Sequence, residues 1–266
     1  MPEAYYSVPG FQLYLGNCVE LMKSMPAECV DMVFADPPYM LSNGGFTVHA
    51  GKMVSVNKGD WDKSKGVDED FAFHLAWIEQ CRRVLKPGGT IWISGTYHSI
   101  YQCGYALQKL EYKILNDITW FKPNASPNLS GRYFTASHET LLWARKDPKA
   151  RHTFNYQDMK DGDWHSEDYL KKAGKQMRSV WAVSPPKSGE KIHGKHPTQK
   201  PLALLERVVL AATNPGDLVL DPFSGSSTTG LAAAKHGREY VGMDSDGEYL
   251  ELSKLRHKDI VAAQRA

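Results

Sequence analysis

No stretch of this 266-residue chain stays apolar and uncharged for the roughly 18 positions that a membrane-spanning helix requires, which excludes such a helix. The N-terminus, MPEAYYSVPGFQLYLGN, lacks a basic segment followed by an apolar one, so no secretory signal is read and a cytoplasmic location is expected. Cysteine is scarce. Cys18, Cys29, Cys81 and Cys103 form no CxxC pair and no Cys/His cluster at zinc spacing. Three of them stand among apolar residues, and reduced, buried thiols are expected rather than disulfides. His193 and His196 flank a Gly-Lys pair without further ligands nearby, so no metal site is expected. The GxGxxG fingerprint of dinucleotide folds is missing, as is the Gly-Lys-Ser/Thr of a phosphate-binding loop. Internal repeats and low-complexity tracts are absent, and the net charge is only +2.

The charge is unevenly placed. Arg145–Lys200 carries thirteen Lys or Arg against seven Asp or Glu, so the rest of the chain is slightly acidic. A basic segment on a mildly acidic protein suits a polyanion-binding face, and equally a solvated loop region. A 42% hydrophobic fraction and this length provide for one large domain spanning 1–266, with or without an insertion.

Strands and helices alternate along most of the chain. Val30–Ala35 is a short apolar run that stops at Asp-Pro-Pro, as a buried parallel strand would. Asp68–Leu85 has helical spacing and ends at Lys86-Pro87-Gly88-Gly89, a helix stop. Thr90–Ser94 predicts a strand, His98–Leu110 a helix, and Asn116–Phe121 and Thr140–Ala144 two further strands. Pro201–Ala212 is a helix with Leu202, Leu205, Val208, Val209 and Ala212 on one face and proline at its first position. Strand Asp217–Leu220, helix Thr228–Lys235, strand Glu239–Met243 and a helix from Glu248 follow. The pattern predicts a doubly wound α/β sheet. Two stretches break the rhythm. Residues 42–65, rich in Gly, Asn, Ser and Lys, predict a long mobile loop. Residues 155–195, polar and basic with scattered aromatics, predict an insertion outside the core sheet.

In open α/β sheets, ligands bind beyond the carboxyl ends of the strands. Asp36, Asp221 and Asp244 each end a predicted strand. In Asp221-Pro-Phe-Ser-Gly-Ser-Ser-Thr-Thr-Gly230, small residues at Ser224, Gly225 and Ser226 let a ligand approach the backbone, and a nucleoside without a phosphate chain fits best. Asp244 on the neighbouring strand is placed to accept hydrogen bonds from ribose hydroxyls. An ordinary strand-to-helix turn with a capping Asp is the plainer alternative.

Asp36-Pro37-Pro38-Tyr39 is more pointed. Consecutive prolines cannot continue a strand ladder and hold a carboxylate and a carbonyl in fixed positions. An exocyclic amine on a base is a poor nucleophile, because its lone pair is delocalised into the ring. Hydrogen bonds from its two N–H groups to Asp36 and the Pro37 carbonyl would favour a pyramidal nitrogen able to attack a sulfonium methyl. Tyr39 would stack on a base that has left the helix. The alternative is a proline-rich turn.

Together these motifs resemble the amino-methyltransferases of DNA, specifically their beta group, in which the DPPY-type motif comes first and the cofactor motif last. His196-Pro-Thr-Gln-Lys-Pro201, Gln12–Leu21, Leu85–Gly89 and Ser137–Trp143 also look like family segments. The resemblance covers nearly all of the chain outside 155–195, the region where that group carries target recognition. It implies a Rossmann-like methyltransferase sheet of seven mostly parallel strands with one antiparallel, S-adenosyl-L-methionine as cofactor, and DNA as partner. It implies a catalytic site at Asp36, Pro37, Pro38 and Tyr39, a cofactor site at Asp221, Phe223, Ser224, Gly225, Ser226 and Asp244, and Thr198 and Lys200 close to the cofactor. Members with Ser in place of Asp36 tend to act on cytosine N4, so Asp here points to adenine N6, in an enzyme of restriction–modification type. Some relatives are dimers, which makes a homodimer admissible. Lys58, with Trp61 beside it in the 42–65 segment, and Arg178, Lys187, Lys191 and Lys195 are the expected DNA contacts. Cytosine-N4 methylation and a catalytically idle nucleic-acid-binding protein are the competing readings.

Overall fold

Apolar runs separated by amphipathic helices assemble into a single twisted nine-stranded sheet. The computed structural model describes residues 1–41, 46–49, 52–55, 62–125, 127–164, 168, 170–194 and 196–265. In chain order the first elements are β1 (Tyr6–Val8), β2 (Phe11–Leu15), α1 (Cys18–Lys23), β3 (Val30–Ala35), β4 (Phe46–His49) and β5 (Lys52–Ser55). They are followed by α2 (Val67–Val84), β6 (Leu85–Gly95), α3 (Ile100–Lys109), β7 (Lys113–Phe121), β8 (His138–Arg145), α4 (Tyr156–Asp161) and β9 (Val180–Ala182). The last third supplies α5 (Leu202–Ala212), β10 (Leu218–Asp221), α6 (Thr228–Lys235), β11 (Glu239–Asp244) and α7 (Gly247–Arg265).

The sheet order is β1-β2-β11-β10-β3-β6-β8-β7-β9. β2, β11, β10, β3 and β6 run parallel, and β8 lies antiparallel between β6 and β7. From β10 the chain crosses by α6 to β11 on one side, whereas from β3 it crosses by way of α2 to β6 on the other. The order therefore reverses between β10 and β3, and a crevice opens at their carboxyl ends. Asp221 and Asp36 sit at its two lips.

Side chains of the central strands alternate between two cores, as the pleat requires. Val33, Ala35, Ile91 and Ile93 face the helices α1, α2 and α3, packing with Met22, Trp77 and Ile78. Met32, Phe34 and Trp92 face the opposite layer, with Leu204, Val208 and Ala232 from α5 and α6. Cys18, Cys81 and Cys103 are buried and Cys29 partly so. Burial pushes the Cys18 thiol up to about 12, as expected of an inert core thiol.

Four expectations need correction. The sheet has nine strands, not seven: β1 and β9 extend its two edges, and at three residues each they are too short to show a period. Two strands, β8 and β1, run against the rest rather than one. The 155–195 segment does not stay outside the sheet, because β9 pairs in parallel with β7 and buries Trp181. β6 starts at Leu85, ahead of the expected Thr90: α2 stops at Val84, as the Lys86-Pro87-Gly88-Gly89 signal predicts, and 86–89 fall in a register shift between the Val30–Leu85 and Met32–Thr90 pairs. Within 42–65, β4 and β5 form an antiparallel hairpin. Lys58, Trp61 and Lys195 lie outside the described residues, as does most of the remainder of 42–61.

Candidate active site

At the crevice lies a cavity of about 490 Å³, bounded by residues following β3, β10, β11 and β2 and by the stretch leading into α5. Asp36, Pro37, Pro38 and Tyr39 line it, as do Asp221, Asp244 and the small-residue loop that follows Asp221. Thr198 and Lys200 also face it.

The loop after β10 is shaped by its small residues. Ser224 N donates to Met243 O at 2.9 Å, and Gly225 N to Asp244 Oδ2 at 2.8 Å. Gly225 has φ +48°, and a Cβ there would stand 2.9 Å from His196 Nε2. Behind the loop, Ser253 of α7 donates to Gly225 O at 2.8 Å, and Arg256 to Ser226 O at 2.5 Å. The terminal helix thus clamps the loop from below. Asp221 accepts from Phe223 N at 3.1 Å, and burial raises its carboxyl to about 7 against opposition from the Thr229 hydroxyl. Asp244 is also raised by burial, with Oδ1 accepting from Asp246 N at 2.9 Å.

After β3, Tyr39 N and Leu41 N donate to the two carboxylate oxygens of Asp62 at 2.9 and 3.1 Å. Asp62 is fully buried and fixes the backbone on both sides of Met40, whose φ of 58° turns the chain sharply. Tyr39 is 5% exposed, and its hydroxyl points inward, 2.6 Å from Asp36 Oδ1. Lys200 Nζ is 2.5 Å from Asp36 Oδ2 and 3.5 Å from Glu139 Oε2. Lys200 therefore engages the DPPY carboxylate directly. Burial raises the Asp36 carboxyl in spite of the Lys200 charge beside it. Glu139 shows the reverse: burial pushes it up, but Lys200 and Lys122 together outweigh that and hold it down at about 2.

Asp36, Asp221, Asp244 and Lys200 were named from the sequence, whereas Asp62 and Glu139, which brace the DPPY turn, were not. Asp62 lay in a stretch without periodicity. Glu139 was visible as the acidic residue inside an apolar strand, HETLLWAR. His196 covers Gly225 and stacks edge-on with Tyr249 at 4.2 Å. His193 is engaged with Asp259 at 2.5 Å. Of the basic residues expected on DNA, Arg178 and Lys187 are exposed and Lys191 is half-buried.

This architecture and site recur in known proteins. Residues 30–255 match the DNA methylase family N6_N4_Mtase. The chain is 50% identical over 257 residues to the Type II methyltransferase M2.LlaDCHI of Lactococcus lactis subsp. cremoris, covering 96% of this chain and 92% of that one. The same identity and coverage hold for the Type II methyltransferase M2.DpnII of Streptococcus pneumoniae. Among solved structures, the M1.HpyAVI–SAM complex matches with a TM-score of 0.67 at 29% identity, over 92% of this chain and 98% of that one. A family match spanning most of the chain, with relatives at half identity over nearly its whole length, places this protein among the N6_N4_Mtase DNA methylases.

Proposed function

We propose that the protein transfers a methyl group from S-adenosyl-L-methionine to the N6 amino group of adenine at a specific DNA sequence, as the methyltransferase of a type II restriction–modification system. The observation that carries this reading is the convergence, in one cavity, of the DPPY carboxylate with the Asp221–Asp244 loop. The residues present fit the cofactor. Gly225 leaves open a backbone cradle that a Cβ would close against His196, and carboxylates at Asp221 and Asp244 suit a cationic nucleoside carrying ribose hydroxyls. When bound, S-adenosylmethionine supplies an activated methyl group.

The chain's own residues do the rest. Asp36 and the Pro37 carbonyl accept the two N–H groups of the adenine amine and so direct its lone pair into the cavity. Lys200 and Asp62 keep Asp36 and the backbone of the turn in place before the base arrives. As the nitrogen gains its methyl group it must lose a proton. Asp36, with its carboxyl raised by burial, takes that proton. Arg178, Lys187 and Lys191 bring positive charge to the phosphate backbone, and the 155–195 segment reads the target sequence. Lys58 and Lys195 add two further positive charges for the phosphates. The enzyme works in the cytoplasm, where its DNA substrate is.

The test is an Asp36→Ala variant checked for folding by circular dichroism and for cofactor binding by calorimetry. It retains both and loses methyl transfer by at least about a hundredfold. Undiminished transfer by the folded variant overturns the assignment.

A further inference from the structure

The Asp36 carboxylate that the proposed mechanism offers to the amine is already engaged at both oxygens. Lys200 holds Oδ2, and the Tyr39 hydroxyl stands 2.6 Å from Oδ1. An incoming amine therefore meets a competing donor. That hydroxyl carries a single hydrogen, yet it lies within reach of a second carboxylate, Glu139 Oε2, at 2.9 Å. Ser94 Oγ completes the arrangement, 3.0 Å from the Tyr39 oxygen and 3.3 Å from Glu139 Oε2. All three partners are buried, with Ser94 at 0%, Tyr39 at 5% and Glu139 at 9% exposure. Lys122 pairs with the other oxygen of Glu139, and Lys200 lies on the side of Oε2, so Glu139 is a charged acceptor on the far side of the tyrosine.

We infer that Glu139 is a positioning residue for methyl transfer: it receives the Tyr39 hydroxyl hydrogen when the target amine arrives, and so releases Asp36 Oδ1 to the amine. The change is a rotation of the hydroxyl about its C–O bond. No covalent bond is made or broken and no proton leaves the tyrosine. When the hydrogen points to Asp36, Ser94 donates to the tyrosine oxygen; when it points to Glu139, Ser94 turns away. The inference rests on the reading of Asp36 as the acceptor of the amine.

A plainer role for Glu139 is that of counter-ion to Lys122 and Lys200, and a double-mutant cycle separates the two. In Glu139→Gln the amide oxygen faces Lys122, which offers only donors, and the amide NH₂ faces Tyr39. The tyrosine must then accept from the amide, and its hydrogen is fixed on Asp36. The expected result is a fall in kcat of about tenfold, with KM for S-adenosylmethionine shifted by less than about twofold. In a Tyr39→Phe background, where no hydroxyl competes for Asp36, the same substitution leaves kcat unchanged. Glu139→Asp, which keeps the charge but draws the carboxylate away from Tyr39, behaves in the same way and serves if the Gln variant is unstable. An equal loss in both backgrounds overturns the inference and leaves Glu139 as a counter-ion. Failure of the underlying reading shows separately, as methyl transfer that survives Asp36→Ala.

Discussion

Lys200 and Asp36 are separated by 164 positions in the chain, and their charged groups are 2.5 Å apart in the fold. The pairing follows from the reversal of strand order: β3 delivers Asp36 to the crevice early in the chain, and the stretch before α5 returns Lys200 to it near the end. The Asp36 side chain is 13% exposed and that of Lys200 6%. In such a setting, removing one charge leaves the other without compensation.

Lys200→Met should accordingly destabilise the fold by about 3–5 kcal/mol, measured by urea unfolding at neutral pH. Combining it with Asp36→Asn should recover part of that loss, since the uncompensated carboxylate is then gone. If Lys200→Met unfolds at the parent's urea midpoint, the pair is not coupled as the geometry indicates.

Asp221 gives a pH dependence with a defined sign. Its carboxyl is raised from 3.8 to about 7 by burial. Between those values the unfolded chain has released the proton and the folded chain keeps it, so this group lowers stability as pH rises through the window and is level above it. Asp221→Asn should gain stability relative to the parent from the acid to the neutral end of that range. A cationic cofactor bound in the cavity that Asp221 lines would favour the ionised form. Affinity for S-adenosylmethionine should therefore rise with pH up to about 7, and this rise should vanish in the Asn variant. Calorimetry on either side of pH 7 measures it.

Gly225→Ala tests the cofactor loop. The backbone there has φ +48°, and the new methyl group would stand 2.9 Å from His196 Nε2. Left-handed strain of about 1–2 kcal/mol and a displaced loop should weaken S-adenosylmethionine binding by about tenfold or more. Melting of the apoprotein should shift by only a few degrees.

Arg207 and Asp168 form an ion pair in which each side chain is 1% exposed, with the guanidinium also 5.0 Å from the Trp181 ring. This pair ties the basic 155–195 segment to α5. Arg207→Met should cost about 3–5 kcal/mol in chemical denaturation, and adding Asp168→Asn should restore part of it. Additive losses in the double variant would contradict the pairing.

Much of this was legible in the residues, and the exceptions have physical causes. α6 matches its predicted bounds, Thr228–Lys235, because a small-residue loop opens it and a glycine closes it. Asp36, Asp221 and Asp244 were legible because an acidic residue ending an apolar strand is unusual unless something uses it. Lys86–Gly89 marked the end of α2 correctly, but the earlier start of β6 depends on Leu85 pairing with Val30, a partner 55 positions away that no local signal names. Arg207 was hidden within an apolar helix face, since its partner Asp168 lies 39 positions away. Glu139 and Asp62 act on residues 100 and 23 positions distant, a relation that no local pattern records.

The central claim is adenine-N6 methylation dependent on Asp36. The most direct test is incubation of the protein and of its Asp36→Ala variant with methyl-labelled S-adenosylmethionine and unmethylated DNA, followed by digestion to nucleosides and chromatography. The account predicts label in N6-methyladenine for the parent and none for the folded variant. Label in N4-methylcytosine, or equal label from both proteins, would contradict it.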